Sequence, residues 1–405
     1  MRIVYLIPGC FVSGGIAVIC QHANRLLRRG HDVYLITEKL DTSMDWFPDQ
    51  RVPVRRLDQY PDDVDILVAT AWSTSFRVAN LPALCRFYFV QSDETRFHPQ
   101  DCIWHHLTAL SYLYDYQYIT EAKWIKGWLS QNFGHDACLV PNGLDSDIFY
   151  PCAPLVPKGN KPRILLEGAI GLPYKGMKEA FEAVAPLDVE VWCVSSLGKP
   201  EPSWKCDRFF EQIPMTEMKN VYSSCDILLK LSRVEGFFGP PMEMMACGGA
   251  AVIGRVTGYD EYIVDGYNAI VVDPLDIGGA TEAIHHLINN KTTYDTLVEN
   301  GKKTAREWSW EKSIDVLEAH YVDSLEKRQP LVSVSLNPTD TNKSLSFLYY
   351  TFLGEISSDS AAVASMVSDN NAERLCRKLK HNRLFRFLAN ILAAAYQLIK
   401  RYNLR

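Results

Sequence analysis

Short, unbroken apolar runs of strand length recur along the first 254 residues, each joined to the next by a turn and a stretch of helical periodicity. A run that is apolar at every position leaves no face for water, so it must be covered on both sides, as in a mainly parallel sheet flanked by helices. Residues 3–7, 33–37, 66–70 and 87–91 are the first such runs. Between the first two, Ser13-Gly14-Gly15 turns the chain, helical spacing holds over 16–28, and Arg29-Gly30-His31 stops it, which spells a βαβ unit. A further helix is expected over 124–132. Residues 151–162 then hold four prolines in twelve positions, too many for the interior of any element and typical of a linker. After it the pattern restarts, with strands at 163–167, 189–194, 227–231 and 250–254 and helices at 178–185 and 242–247. Two α/β domains in series are implied: residues 1–150, a linker at 151–162, residues 163–310, a closing helix at 311–327, and a linker and tail at 328–405.

Composition fits that reading, since 47% apolar and 22% charged residues are close to the averages of folded globular chains. The net charge of −6 argues against a body that grips nucleic acid. The charge is uneven, because residues 374–405 carry nine Lys or Arg and no Asp or Glu, leaving a more acidic body. Within that tail, residues 383–401 read as a helix with a broad apolar face of Leu384, Phe387, Leu388, Ile391, Leu392, Ala395 and Leu398. Eleven cysteines lie singly, without C-x-x-C spacing, which suits a reducing cytoplasm better than a disulfide framework. No run reaches eighteen uninterrupted apolar residues, and the first fifteen lack the cleavage pattern of a signal peptide.

The chemistry is concentrated between Ser232 and Gly249, in the order SRVEGFFGPPMEMMACGG. A buried strand ends, a glycine-bearing loop follows, and Pro240-Pro241 starts a helix where a missing N–H costs nothing. The amides of such a loop make an anion site without a charged side chain, and Gly236 and Gly239 let a diphosphate approach closely. Glu235 falls on the strand side and Glu243 on the first helical turn, eight residues apart, so that one can reach sugar hydroxyls and the other a ribose. Set against this is the bland reading of a surface carboxylate and a helix-start charge, worth about 0.3 to 1 kcal/mol.

This segment resembles the retaining nucleotide-sugar glycosyltransferases of the GT-B fold, the large group one or family four, whose hallmark is Glu-x7-Glu. Glu235, Gly236, Phe237, Gly239, Pro241, Glu243, Met245, Ala246, Cys247 and Gly248 match it, with Phe238 lengthening the loop. Other pieces fall in the family's order: Gly14-Gly15, the run from Val140 to Asp145, Lys175-Gly176, the run from Thr257 to Asn268, and Trp308-Ser-Trp-Glu311. The resemblance covers roughly residues 1–327. It implies two Rossmann-like domains facing a cleft, the second binding the nucleotide-sugar donor and the first the acceptor, a saccharide or lipid-linked molecule in cell-envelope polysaccharide synthesis. It further implies that Glu235 contacts the transferred sugar, Glu243 the ribose, the amides at Phe237 and Phe238 the diphosphate, Lys175 a phosphate oxygen, and Gly15 the donor from across the cleft. No metal or other cofactor is then needed, because fixed amide dipoles and a lysine meet the charge that builds on the leaving group.

Two departures stand out. Where many members have Gly-Arg after the second domain's first strand, this chain has Gly168-Ala169, and Arg233 is the candidate to compensate. Where many have a histidine, this chain has Gln91, with Glu94 close by; Gln91 is placed to bond a sugar hydroxyl and Glu94 to orient an acceptor. These losses motivate a rival reading, a non-catalytic nucleotide-sugar or carbohydrate binding protein that kept the GT-B fold. Asp63-Val-Asp65 and Asp145-Ser-Asp147 are read as acidic turns rather than metal sites. For the tail, adsorption on an anionic membrane surface is weighed against docking on the body or a partner. The protein is therefore expected in the cytoplasm, peripheral on the inner face of the plasma membrane.

Overall fold

The computed structural model describes residues 1–100 and 102–327, so the basic helix expected at 383–401 lies outside the described residues. The first sheet is built from β1 (Arg2–Ile7), β2 (Asp32–Thr37), β3 (Val54–Arg56), β4 (Ile66–Ala69), β5 (Cys85–Val90), β6 (Gln117–Thr120) and β7 (Cys138–Leu139), with helices α1 (Gly14–Arg28), α2 (Trp72–Val78), α3 (Ile103–Ser111) and α4 (Lys123–Phe133). Its strand order is 3-2-1-4-5-6-7, parallel throughout. The second contains β8 (Arg163–Glu167), β9 (Glu190–Ser195), β10 (Arg208–Glu211), β11 (Ile227–Lys230), β12 (Ala250–Gly254) and β13 (Ile270–Val272). It is also parallel, in the order 10-9-8-11-12-13. Helices α5 (Met177–Val184), α6 (Met215–Ser224), α7 (Gly239–Ala246), α8 (Ile277–Asn289), α9 (Lys291–Glu307) and α10 (Trp310–Glu326) complete the described chain.

Every strand run read from the sequence is a strand here, because each is buried on both faces: Ile3, Val4, Tyr5 and Leu6 are wholly inaccessible, as are Ile164, Leu165 and Leu166. The proline-rich stretch 151–162 carries neither helix nor strand. In each sheet the order reverses beside the first strand, between β1 and β4 and between β8 and β11, and the crevice beyond the strand ends at such a reversal is where α/β sheets bind ligands. The last helix returns to the first sheet. Ser309 Oγ caps α10 by accepting from Glu311 N at 3.2 Å, and Ile314, Leu317 and Tyr321 enter the core formed by Ile3, Tyr5 and Phe87. Arg29 and His31 hold it from outside through Glu318, at 2.8 and 2.6 Å.

Both sheets belong to one compact unit, whereas Glu94–Asp115 falls in a second. Within that segment the Glu94 N–H donates to Tyr112 Oη at 3.1 Å, and His105 Nδ1 contacts Thr95 O at 2.9 Å.

Candidate active site

The site grows from the reversal between β8 and β11. Central strand β11 carries the chain out of the sheet, residues 231–238 form the loop, and α7 begins at Gly239 with Pro240 and Pro241 in its first turn. Beside it, Lys175-Gly176 ends the loop that leads from β8 into α5. Gly176 has φ +65°, and a Cβ there would overlap the Leu231 carbonyl oxygen, so only glycine lets this turn lie against the end of β11. That approach brings Lys175 to Glu235: Lys175 Nζ donates to Glu235 Oε2 at 2.8 Å, with the carboxylate side chain only 11% exposed.

Burial alone would raise the Glu235 carboxyl, but the ammonium groups of Lys175 and Lys230 overcome it and hold the acid below its ordinary range. Glu243 shows the opposite balance. Its Oε2 accepts from Tyr222 Oη at 2.7 Å, yet burial dominates and pushes its carboxyl up to about 7. The sequence motif therefore places two glutamates in environments that separate their protonation, one charged at neutral pH and one poised to change.

The first sheet reaches the same loop. Glu121, directly after β6, is buried; its Oε1 accepts from the Phe237 N–H at 2.9 Å and its Oε2 from Asn142 Nδ2 at 2.9 Å. Burial raises this carboxyl to about 7 against the pull of those two donors. Trp124 Nε1 donates to Gly236 O at 3.0 Å, and Glu261 Oε1 accepts from Lys123 N at 2.5 Å and Trp124 N at 3.3 Å, satisfying the open N–H groups at the start of α4. Gly236 is obligatory at this junction, since a Cβ would overlap the Gln91 carbonyl oxygen and stand 2.8 Å from Glu121 Oε1. Gln91 in turn lies against Gly15, where a Cβ would be 3.2 Å from Gln91 Oε1.

Gly168 lies beside Lys175, where a Cβ would be 3.5 Å from the Lys175 Cβ, so Glu235, Lys175, Gly168, Gly236, Phe237, Gln91 and Gly15 come together around one loop, with Glu243 one turn into α7. Gly14 is exposed at the start of α1, and Phe238 is wholly buried among Met242, Met245 and Tyr262. Gly239 N donates to Phe237 O at 3.0 Å. Arg233 points away from Glu235: its Nη1 donates to Glu179 Oε1 at 2.8 Å, and it also meets Pro173 O. Glu94 belongs to the second compact unit. The acidic turns are engaged in structure, Asp65 Oδ2 accepting from Arg2 N at 2.7 Å and Asp145 pairing with Arg25 at 3.3 Å. Lys230, Glu167, Glu121 and Tyr222 escaped the sequence reading, and Asn142 and Glu261 enter it only inside the family runs 140–145 and 257–268. For Lys230 a signal existed, a charged residue inside the apolar run ILLKL at 227–231.

Comparison with known proteins agrees with this geometry. Residues 207–304, the segment that holds Glu235 and Glu243, match the family model described as glycosyl transferases group 1. An uncharacterized glycosyltransferase of Methanocaldococcus jannaschii is 29% identical over 48% of this chain and 56% of its own length. The chain thus spans about half the length of that curated relative. Among solved structures, sucrose-phosphate synthase from Thermosynechococcus elongatus aligns with a TM-score of 0.67 and 15% identity, over 80% of this chain and 99% of the other. HepE of Anabaena in complex with UDP-glucose aligns with a TM-score of 0.64 and 14% identity, over 80% of this chain and all of the other, 100%. The two parallel-sheet domains are the GT-B fold that the resemblance implied.

Proposed function

We propose that this chain is a glycosyltransferase that takes a sugar from a nucleotide-diphosphate donor and passes it to a saccharide or lipid-linked acceptor, with retention of anomeric configuration. The observation that carries the reading is the charged Glu235, held by Lys175 at 2.8 Å beyond the ends of β8 and β11 within the family-matched segment. In this reading the sugar lies over Glu235, the diphosphate against Lys175 and the Phe237 and Phe238 amides, and the ribose against Glu243. As the bond to the diphosphate breaks, negative charge grows on the leaving oxygen and positive charge on the anomeric carbon. A lysine and fixed amide dipoles meet the first, and the Glu235 carboxylate meets the second. Gln91 and Gly15 close the pocket from the first sheet. No resident metal is invoked. HepE, solved with UDP-glucose, supports a nucleotide-sugar of that kind as the donor.

We assign the work to cell-envelope polysaccharide assembly, with residues 374–405 resting on an anionic membrane surface at its cytoplasmic face. Among the described residues no helix is long and apolar enough to cross a membrane. The non-catalytic rival is not favoured, because a binding relic has no need to keep a carboxylate charged and buried where bond cleavage would occur.

The test is a thermal-shift screen of the full chain against UDP, GDP, dTDP and their sugar conjugates, followed by donor turnover and the anomeric configuration of the product. Ligand at ~100 times its Kd stabilises by about 2.7 kcal/mol. One nucleotide class should shift the wild type and not Glu243→Ala. A protein shifted by none of them, or one that binds without releasing nucleotide, overturns the reading.

A further inference from the structure

Lys230 is the least expected residue of the second domain. It ends the central strand β11 with its side chain only 2% exposed, where the preceding Ile227, Leu228 and Leu229 pack as core. Burying an ammonium is costly unless it is paired and hydrogen-bonded, so the places it points carry information. It reaches Glu167 Oε2 at 2.5 Å, Glu167 O at 3.1 Å and Glu235 Oε1 at 3.7 Å. That Oε1 is buried and has no hydrogen-bond partner among the described residues, while its twin Oε2 is held by Lys175. The cation facing the inner oxygen of Glu235 is therefore Lys230.

The backbone explains how it gets there. β11 pairs with β8 up to Leu229 opposite Leu166, so Lys230 and Glu167 stand one step further along, at the rim where Gly168-Ala169 lacks the arginine of the wider family. Arg233 is turned onto Glu179 and does not fill that place. We propose that Lys230 is a positioning residue: tethered by Glu167, it holds the inner oxygen of Glu235 and supplies from the neighbouring strand the second cation that Ala169 cannot. The proposal rests on the reading of Glu235 given above. Its competitor is simpler, a strand-end ion pair in which Lys230 serves only to neutralise Glu167.

The two separate in the double variant Lys230→Met/Glu167→Leu. Replacing a buried pair by apolar residues of similar volume commonly preserves stability, so this variant should melt near the wild type. With the pair gone, the competitor predicts wild-type catalysis. The present proposal predicts a kcat lower by about 100-fold at little change in donor KM, the pattern for a lost contribution to the transition state. It also predicts that the acid limb of kcat/KM moves up by about one pH unit or more, because Glu235 loses one of its two cations. The groups facing Glu235 are Lys175 from the turn before α5, Lys230 from β11, the Ser232 hydroxyl, which also lowers its carboxyl, Glu121 from the first sheet, and Tyr174 and Tyr262; Glu243 and Glu167 act on it through Lys230. The inflection near pH 7 from Glu121 should persist in wild type and variant alike, whereas Glu243 loses both Glu167, which raises its carboxyl, and Lys230, which lowers it. Lys230→Arg keeps a cation in place and should leave the limb where it is even as kcat falls. A double variant with wild-type kcat and pH profile, or a limb that moves as far in Lys230→Arg, overturns the proposal. A wild type without donor turnover refutes the glycosyltransferase reading instead.

Discussion

On the donor site proposed above, Glu121 and a donor phosphate compete for one hydrogen-bond donor. In the structure the Phe237 N–H is held by Glu121 Oε1 at 2.9 Å, and the same amide is assigned to the diphosphate when donor binds. Donor entry must then break a charge-assisted bond, and Glu121→Gln lowers that cost without emptying the site. A glutamine has the same shape and its Oε1 still accepts from Phe237; once the Asn142 amide turns over, its Nε2 donates to Asn142 Oδ1, which is buried without a partner among the described residues. Bonds to charged groups are worth about 1.5–3 kcal/mol and neutral ones about 0.5–1.5 kcal/mol, so the substitution weakens the internal competitor by about 1 kcal/mol. At about 1.4 kcal/mol per decade, the donor Kd should tighten roughly fivefold. The sign has a second check in pH. With its carboxyl near 7, Glu121 is charged at pH 8 and mostly protonated at pH 6, so the gap between wild type and variant should be widest at pH 8 and close as pH falls. Calorimetric titration with the nucleotide identified by thermal shift measures both. An unchanged or weaker Kd in Glu121→Gln at pH 8 would mean that Glu121 shapes the loop for the donor, and the competition argument fails.

Gly236→Ala forces its Cβ into the Gln91 carbonyl, so it should leave each domain folded but separate the first sheet from the loop; small-angle scattering should show expansion and donor turnover should fall by at least 100-fold, whereas a compact, active variant would contradict the assigned junction. Glu243 has its carboxyl raised by burial to about 7, so between pH 4.5 and 7 the native protein keeps a proton that the unfolded chain has lost, and stability falls as pH rises through that window. Glu243→Gln should therefore melt higher than wild type at pH 8 and equal to it below pH 5; a gap of the same size at both ends would count against the assignment. Deleting residues 374–405 should release the protein from vesicles containing phosphatidylserine and leave its melting temperature in place, and undiminished vesicle binding would remove the tail as anchor.

How much of this was legible beforehand depends on the range over which each feature is decided. The strands at 163–167 and 250–254 were read to the residue, because a run buried on both faces is written in consecutive letters. Strand β6 spans only Gln117–Thr120, with Tyr118, Ile119 and Thr120 buried, too short a run to stand out in the letters. The Glu-x7-Glu motif was legible since both glutamates are placed by one loop and one helix. Glu121 was not, because its partner lies 116 residues away in the loop that follows β11, and no local pattern encodes that meeting. Arg233 shows the converse failure: the missing arginine at Ala169 suggested it as the compensating cation, but Glu179, in the first turn of α5, holds the guanidinium.

The carboxylates around the donor loop differ in what they are given as partners, and that difference orders the chemistry. Glu235 has two ammonium groups and stays charged, which suits a group facing a carbon that becomes positive. Glu243 accepts from a phenol and feels Lys230 and Glu167 as opposing charges, and Glu121 accepts from a backbone amide and a side-chain carboxamide, so burial prevails and each sits near 7. A diphosphate entering beside three fixed negative charges would be repelled by all of them; entering beside one paired carboxylate and two that can hold a proton, it meets far less opposition. Ala169, where many members of the resembled family carry an arginine, leaves this balance one cation short. Keeping two of the three acids titratable, and bringing Lys230 up from the neighbouring strand, restores it without a new residue at Ala169.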